Sequence, residues 1–357
     1  MYMRSKVISI SNEFTISGGK GLRSFQLATE SNYYNMLSEV DQERLLELLA
    51  TDHKQIENSR TCTLTLKNPI FVDYGNITVR ISELSIKGIR FDSNEVLVPH
   101  TGRGAVINSY SADENGKLIE KLATTTPNGA ALFSEARDEF HMTKIAHESD
   151  ILLDNKVFTK IPIGYGKYPN INYIFPNNSL RAGEEENVGF IIFGVNPILN
   201  IRTEKGVVAS LPKAYLAEMR ELGSTLRSLH EANIYHSSLH GGNIFIAPQI
   251  RVVHDLPDSI DLSNMSMAQK TTYMFRDLFY AASKVESVMR EVDDKRIAKN
   301  EGERTVLDGY FGVDTAEIFD HYQLNFLFTF LQSVPFETLN YPLLEMLKSV
   351  ACGLPTH

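Results

Sequence analysis

Residues 226 to 258 constrain the chain more than any other stretch. They read Leu-Arg-Ser-Leu-His-Glu-Ala-Asn-Ile-Tyr-His-Ser-Ser-Leu-His-Gly-Gly-Asn-Ile-Phe-Ile and then Ala-Pro-Gln-Ile-Arg-Val-Val-His-Asp-Leu-Pro-Asp. The pattern is the end of an amphipathic helix, a polar loop, a short apolar strand, a turn and a second short strand. That helix, Leu211 to His230, is the clearest in the chain. Leu211, Tyr215, Met219, Leu222, Leu226 and Leu229 form one stripe, with Ser210 as cap and Pro212 in the first turn. Three polar positions stand out beyond it: His236 opens the loop, Asn243 closes it and Asp255 follows the second strand. An amide and a carboxylate, each beside a hydrophobic strand, suit one Mg²⁺ held against phosphate oxygens.

The loop His236-Ser-Ser-Leu-His-Gly-Gly-Asn243 resembles the catalytic loop of the protein-kinase-like superfamily. Its flavour is that of the aminoglycoside- and choline-kinase branch, where the loop often reads His-Gly-Asp-Leu-His-x-x-Asn. Asp255, in Val-Val-His-Asp-Leu-Pro-Asp, falls where the family keeps Asp-Phe-Gly, although neither Phe nor Gly is present. Leu229-His-Glu-Ala-Asn233 matches Leu-His-x-x-Gly, with Asn233 in the left-handed turn that Gly usually takes. Asp277, in Phe275-Arg-Asp-Leu-Phe, stands where the family places an aspartate that braces the catalytic loop. No Ala-Pro-Glu occurs, and a helix starting near Ala268 follows Asp255 too soon for a long regulated activation segment.

The resemblance implies an α+β, bilobal protein-kinase-like fold, with a small antiparallel-sheet lobe over 96–196 and a mainly helical lobe over 197–357. Residues 1–95 carry none of the family's landmarks and read as an N-terminal α+β appendage. There Ser38-Glu-Val-Asp41 caps a helix bearing Leu45, Leu46, Leu48 and Leu49. Thr61 to Leu66 and Ile77 to Phe91 read as strands, with turns at Asn68-Pro69 and at Tyr74-Gly75-Asn76. The Phe- and Leu-rich remainder from Thr315 reads as helical core.

Within the small lobe the resemblance selects a nucleotide set. Thr101-Gly102-Arg-Gly104 stands as the glycine loop, since glycine lets backbone N–H groups approach phosphate closely. Gly104 precedes Lys121 by 17 residues, the family interval to the strand lysine that holds the nucleotide phosphates. The helix from Gly129 to His147 offers Glu139, and one turn earlier Glu135, as the carboxylate that orients this lysine. Val188 to Val195 is a continuous apolar run that becomes the strand leading to the hinge, where adenine meets backbone groups between Phe193, Val195 and Asn196.

The departure that matters is Ser238, in place of the family's catalytic Asp. A positioned base contributes about 10²–10⁴-fold, and Ser cannot take a proton at neutral pH. Phosphoryl transfer nevertheless rests mostly on positioning and charge stabilisation. Two readings follow. One is an atypical kinase-like transferase using ATP and Mg²⁺ to move a phosphoryl or adenylyl group to a protein or small-molecule hydroxyl. In it Lys121, Glu139, His236, Ser238, Asn243 and Asp255 form the catalytic set, and Asn243 with Asp255 holds the metal. The other is a pseudokinase that binds nucleotide or scaffolds a partner.

Composition sets the outer bounds. A net charge of −9 without a basic run argues against nucleic acid as partner. No apolar run reaches membrane-spanning length, and the first residues lack a signal peptide's apolar region. Cys62 and Cys352 make neither a metal pattern nor a disulfide framework, so a reducing, cytoplasmic setting is expected. A protein delivered into another cell would have the same composition.

Overall fold

The computed structural model describes residues 12–16, 22–53, 60–74, 77–94, 97–99, 106–116, 118–177, 181–197, 212–237, 239, 243–247, 250–283, 299–312 and 314. In chain order its elements begin with β1 (Asn12–Ile16), β2 (Phe25–Thr29), α1 (Ser31–Tyr34), α2 (Glu39–Ala50), β3 (Thr61–Tyr74) and β4 (Ile77–Lys87). Next come β5 (Val106–Ala112), β6 (Leu118–Thr125), β7 (Ala131–Leu132), α3 (Phe133–His147), α4 (Asp150–Asp154), β8 (Val157–Thr159), β9 (Ile161–Ile174) and β10 (Glu185–Val195). The rest are α5 (Pro212–Glu231), β11 (Ile234–Tyr235), β12 (Ile244–Ala247), β13 (Ile250–Val253), β14 (Ile260–Asp261), α6 (Met267–Ser283) and α7 (Lys299–Phe311). The protein is mixed α+β and divides into two compact units. One takes residues 1–109, 122–145 and 160–197, and the other takes 110–121, 146–159 and 198–357.

The first unit is built on an antiparallel sheet of strand order β1-β2-β9-β10-β4-β3, with β7 paired to β10. The apolar run Val188 to Val195 is buried throughout, as suits a strand flanked on both edges and covered by a helix. Helix α3 supplies that cover: Ala136 and Phe140, one turn apart, pack against Tyr165, Ile191, Phe193 and Val195. The sheet corrects the expected domain boundary. Strands from the first 95 residues pair with β9 and β10, β2 on one flank and β4 on the other, so this region is part of the sheet and not an appendage. Alternating hydrophobicity in β4 showed a strand; which neighbour it would join depended on pairing that alternation does not encode.

Local chemistry explains several details. Ser38 caps α2 as expected, accepting from Asp41 N–H at 3.2 Å. Asp41 also accepts from Lys67 N–H at 2.9 Å and Asn68 N–H at 3.1 Å. The expected turn at Asn68-Pro69 is instead an irregularity inside β3, where the register against β4 shifts between Thr65 and Ile70. Proline lacks an N–H for the ladder, and the carboxylate of Asp41 takes up the N–H groups just before it.

In the second unit α5 packs on both α6 and α7. Strands β12 and β13 form an antiparallel hairpin, β8 joins β13 in parallel, and β11 pairs with β14. Strands β5 and β6 pair with each other as a two-stranded ribbon. Among the described residues no helix is long and apolar enough to cross a membrane.

Candidate functional site

In the first unit the chemistry gathers where α3 lies over the sheet. Lys87 ends β4, opposite Ile191 of β10 and Thr61 of β3. Its ammonium donates to Glu139 Oε2 at 2.7 Å and stands 3.6 Å from Glu135 Oε1. Arg60 donates to Glu135 at 2.8 Å. Burial works against ionising Glu135, but Arg60 first and Lys87 second outweigh it and hold its carboxyl below the ordinary value. Further along the helix, buried Lys144 pairs with Glu30.

Glu139 therefore has Lys87 as a partner, a residue that the spacing of sequence motifs did not select. Lys121 lies on β6 of the two-stranded ribbon, outside the sheet that carries α3. A signal for Lys87 was present: Leu84-Ser-Ile-Lys87 ends an alternating strand and resembles the kinase Val-Ala-Ile-Lys. Gly102 and Gly104 lie outside the described residues. Phe193 sits within the ladder, opposite Ser85 of β4 and Pro162 of β9, with its ring in the core under α3. Val195, opposite Glu83, lies one residue beyond the last pairing of β10 with β9.

In the second unit the loop of His236 is held from below by one carboxylate. Asp277 is fully buried on α6, and its Oδ2 accepts from the His236 backbone N–H at 2.6 Å and from His230 Nε2 at 3.2 Å. Tyr310 of α7 donates its hydroxyl to His230 Nδ1 at 2.7 Å. The His236 ring donates from Nε2 to the carbonyl of His254 at 3.0 Å, tying the loop to the residue before Asp255. Burial, opposed by Asp277, lowers the His236 pKa and favours the neutral ring. A neutral ring with its proton on Nε2 suits this bracing role.

The β12–β13 hairpin brings the expected metal pair together. Ile244 stands opposite Val253, and the carbonyl of Asn243 accepts from His254 N–H at 2.8 Å. Asn243 and Asp255 thus flank the open end of one hairpin. Asn233, Ser237 and Asp255 are three of the four non-glycine residues with positive φ among the described residues, at 60°, 74° and 52°. Asn233 takes the left-handed turn expected of it. Residues held in this sparsely populated region tend to cluster at functional sites. Ser238 lies outside the described residues. Among the described residues, no group of three or more His, Cys, Asp and Glu gathers as a metal site. An amide plus a single carboxylate is the donor set a phosphate-bridging Mg²⁺ uses, and a cluster rich in His or Cys would suit other metals.

No protein-family model matches the sequence, and no curated protein matches it. Solved structures do match. One, WaaP in complex with acyl carrier protein, is 14% identical, with a TM-score of 0.34, over 64% of this chain and 88% of that one. A second, a Toxoplasma gondii specific rhoptry antigen kinase domain, is 12% identical, with a TM-score of 0.31, over 81% of this chain and 88% of that one. At those scores the likenesses carry no argument about what this chain does.

Proposed function

We propose that the chain is a kinase-like, ATP- and Mg²⁺-binding transferase that moves a phosphoryl or adenylyl group to a protein or small-molecule hydroxyl. The observation that carries this reading is the Lys87–Glu139 ion pair between the end of a sheet strand and the covering helix. A buried carboxylate that holds an ammonium in one position is the device by which kinases aim a lysine at nucleotide phosphates. In this reading Lys87 binds the phosphates and Glu139 orients it. Asn243 and Asp255 would hold Mg²⁺, which when bound offsets charge on the phosphate oxygens. Asp277 and His236 keep the loop that carries Asn243 in register with Asp255.

A second reading keeps the nucleotide and drops the transfer. Ser238 in place of the catalytic Asp leaves the loop without its usual carboxylate base, and this favours a nucleotide-binding pseudokinase acting on a partner.

Thermal shift with ATP, with and without Mg²⁺, tests the shared part of both readings. The wild type is expected to be stabilised in a Mg²⁺-dependent way, and Asp255→Ala and Lys87→Met are expected to lose the shift. Lys121→Ala should keep it. The absence of any shift at millimolar ATP would sink nucleotide binding altogether. Transfer assays with α- and γ-labelled ATP then separate enzyme from pseudokinase, and adenylyl from phosphoryl transfer.

A further inference from the structure

Helix α3 offers Lys87 two carboxylates. Glu135 and Glu139 lie one turn apart on one face of the helix, with side chains 8% and 2% exposed, so neither is satisfied by water alone. Lys87 is 2.7 Å from the second and 3.6 Å from the first, a difference within reach of a small side-chain rotation. Two buried anions competing for one ammonium leave its position undetermined unless something else occupies one of them.

Arg60 does so. Its Nη1 donates to both oxygens of Glu135, at 2.8 and 3.2 Å. Arg60 is itself tied to the strand that carries the lysine: its carbonyl accepts the N–H of Gly88, the residue after Lys87, at 2.7 Å. Gly88 has φ of 97°, and a Cβ there would stand 2.5 Å from the Gly189 carbonyl oxygen, so the tie sits at a turn only glycine makes without strain. Backbone and side chain of Arg60 thus span the end of β4 and the first turn of α3.

We propose that Arg60 is a positioning residue: by taking Glu135 it commits Lys87 to Glu139 and sets where the ammonium stands to meet a phosphate. The functional consequence rests on the nucleotide role assigned to Lys87 above. The commitment itself does not. Removing Arg60 takes from buried Glu135 its largest compensating charge. Lys87, 3.6 Å away, and a backbone hydrogen bond at Leu132 are left to offset it, which draws Lys87 away from Glu139.

Two measurements on the full chain test this separately. In the absence of nucleotide, double-mutant cycles by urea unfolding give the coupling of Lys87 to Glu139 and to Glu135. Replacing Arg60 by Ala is expected to weaken the first coupling and strengthen the second. Unchanged couplings would overturn the proposal, whatever the protein binds. Isothermal titration with Mg²⁺ and ATP then gives affinities. Arg60→Ala is expected to weaken binding about tenfold, the scale of one displaced charged contact. Adding Glu135→Gln to that variant is expected to restore it by removing the competing charge, and Arg60→Lys to restore it in part, keeping the charge without the fork. A double variant as weak as Arg60→Ala would reduce Arg60 to a structural role and overturn the proposal. Wild-type affinity in Lys87→Met would instead refute the nucleotide role of that lysine, while the coupling measurement still decides the commitment.

Discussion

Asp277 shows how much a single buried oxygen can organise. Its Oδ2 receives the backbone N–H of His236 and the ring of His230, and the His230 ring in turn receives the hydroxyl of Tyr310. Replacing the carboxylate with Ala leaves buried donors unpaired, each worth about 1–3 kcal/mol. Asp277→Ala is therefore expected to lower unfolding free energy by about 2–5 kcal/mol in urea titrations. The same variant should impair Mg²⁺-dependent nucleotide stabilisation, because the loop that presents Asn243 loses its anchor. Tyr310→Phe removes only the outermost hydroxyl and should cost about 1 kcal/mol. A Tyr310→Phe loss equal to that of Asp277→Ala would mean the chain of contacts acts as one unit rather than as a brace with a support.

At the scale of elements, the second unit depends on how closely α5 and α7 approach. A Cβ at Gly223 of α5 would run into the carbonyl oxygen of Val306, and one at Gly309 of α7 into that of Arg220. Glycine to alanine inside a helix ordinarily adds about 1 kcal/mol through propensity. Here the sign is expected to reverse: Gly223→Ala and Gly309→Ala should each destabilise by about 1–3 kcal/mol or more, since the helices must part. Tyr310 follows Gly309 directly, so parting α7 from α5 also moves the hydroxyl that meets His230. A stabilised Gly309→Ala variant would show that the contact yields easily. In the first unit α3 plays the organising part. Its Ala136–Phe140 stripe seats it on β9 and β10, and the neighbouring Glu135–Glu139 stripe then faces the end of β4.

At the scale of the molecule, buried groups pull the response to acid in both directions. His236 has its pKa lowered by burial, so the unfolded chain binds a proton there first as pH falls below the ordinary 6.5. Glu135 is lowered because Arg60 and Lys87 outweigh its burial. Asp41 is lowered because its hydrogen bonds from Lys67, Ser38, Asn68 and Arg44 outweigh burial. Their contributions are complete above the ordinary carboxylate values of 4.5 and 3.8 and are lost as pH falls through the lowered ones. Glu218, pushed up to about 7 by burial, works the other way and offsets His236 between about pH 7 and 4.5. The net decline in melting temperature is thus expected through the carboxylate range. A rise in melting temperature on acidification below about pH 4.5 would contradict this assignment.

The stretch around the polar loop was legible from residue order alone. The cap of α2, the left-handed Asn233 and the bracing Asp277 appear as read. Each depends on local periodicity, turn chemistry or a short hairpin, interactions whose partners lie close in sequence or on one regular element. The lysine facing α3 and the place of the first 95 residues were decided only by tertiary structure. Lys87 meets Glu139 across 52 residues of chain because β4 pairs beside β10 under the helix. Alternation shows that a strand exists and which face it buries, but many strands satisfy that pattern. Which one lies next to which is settled by packing the whole sheet at once, and with it the identity of the residue at the site.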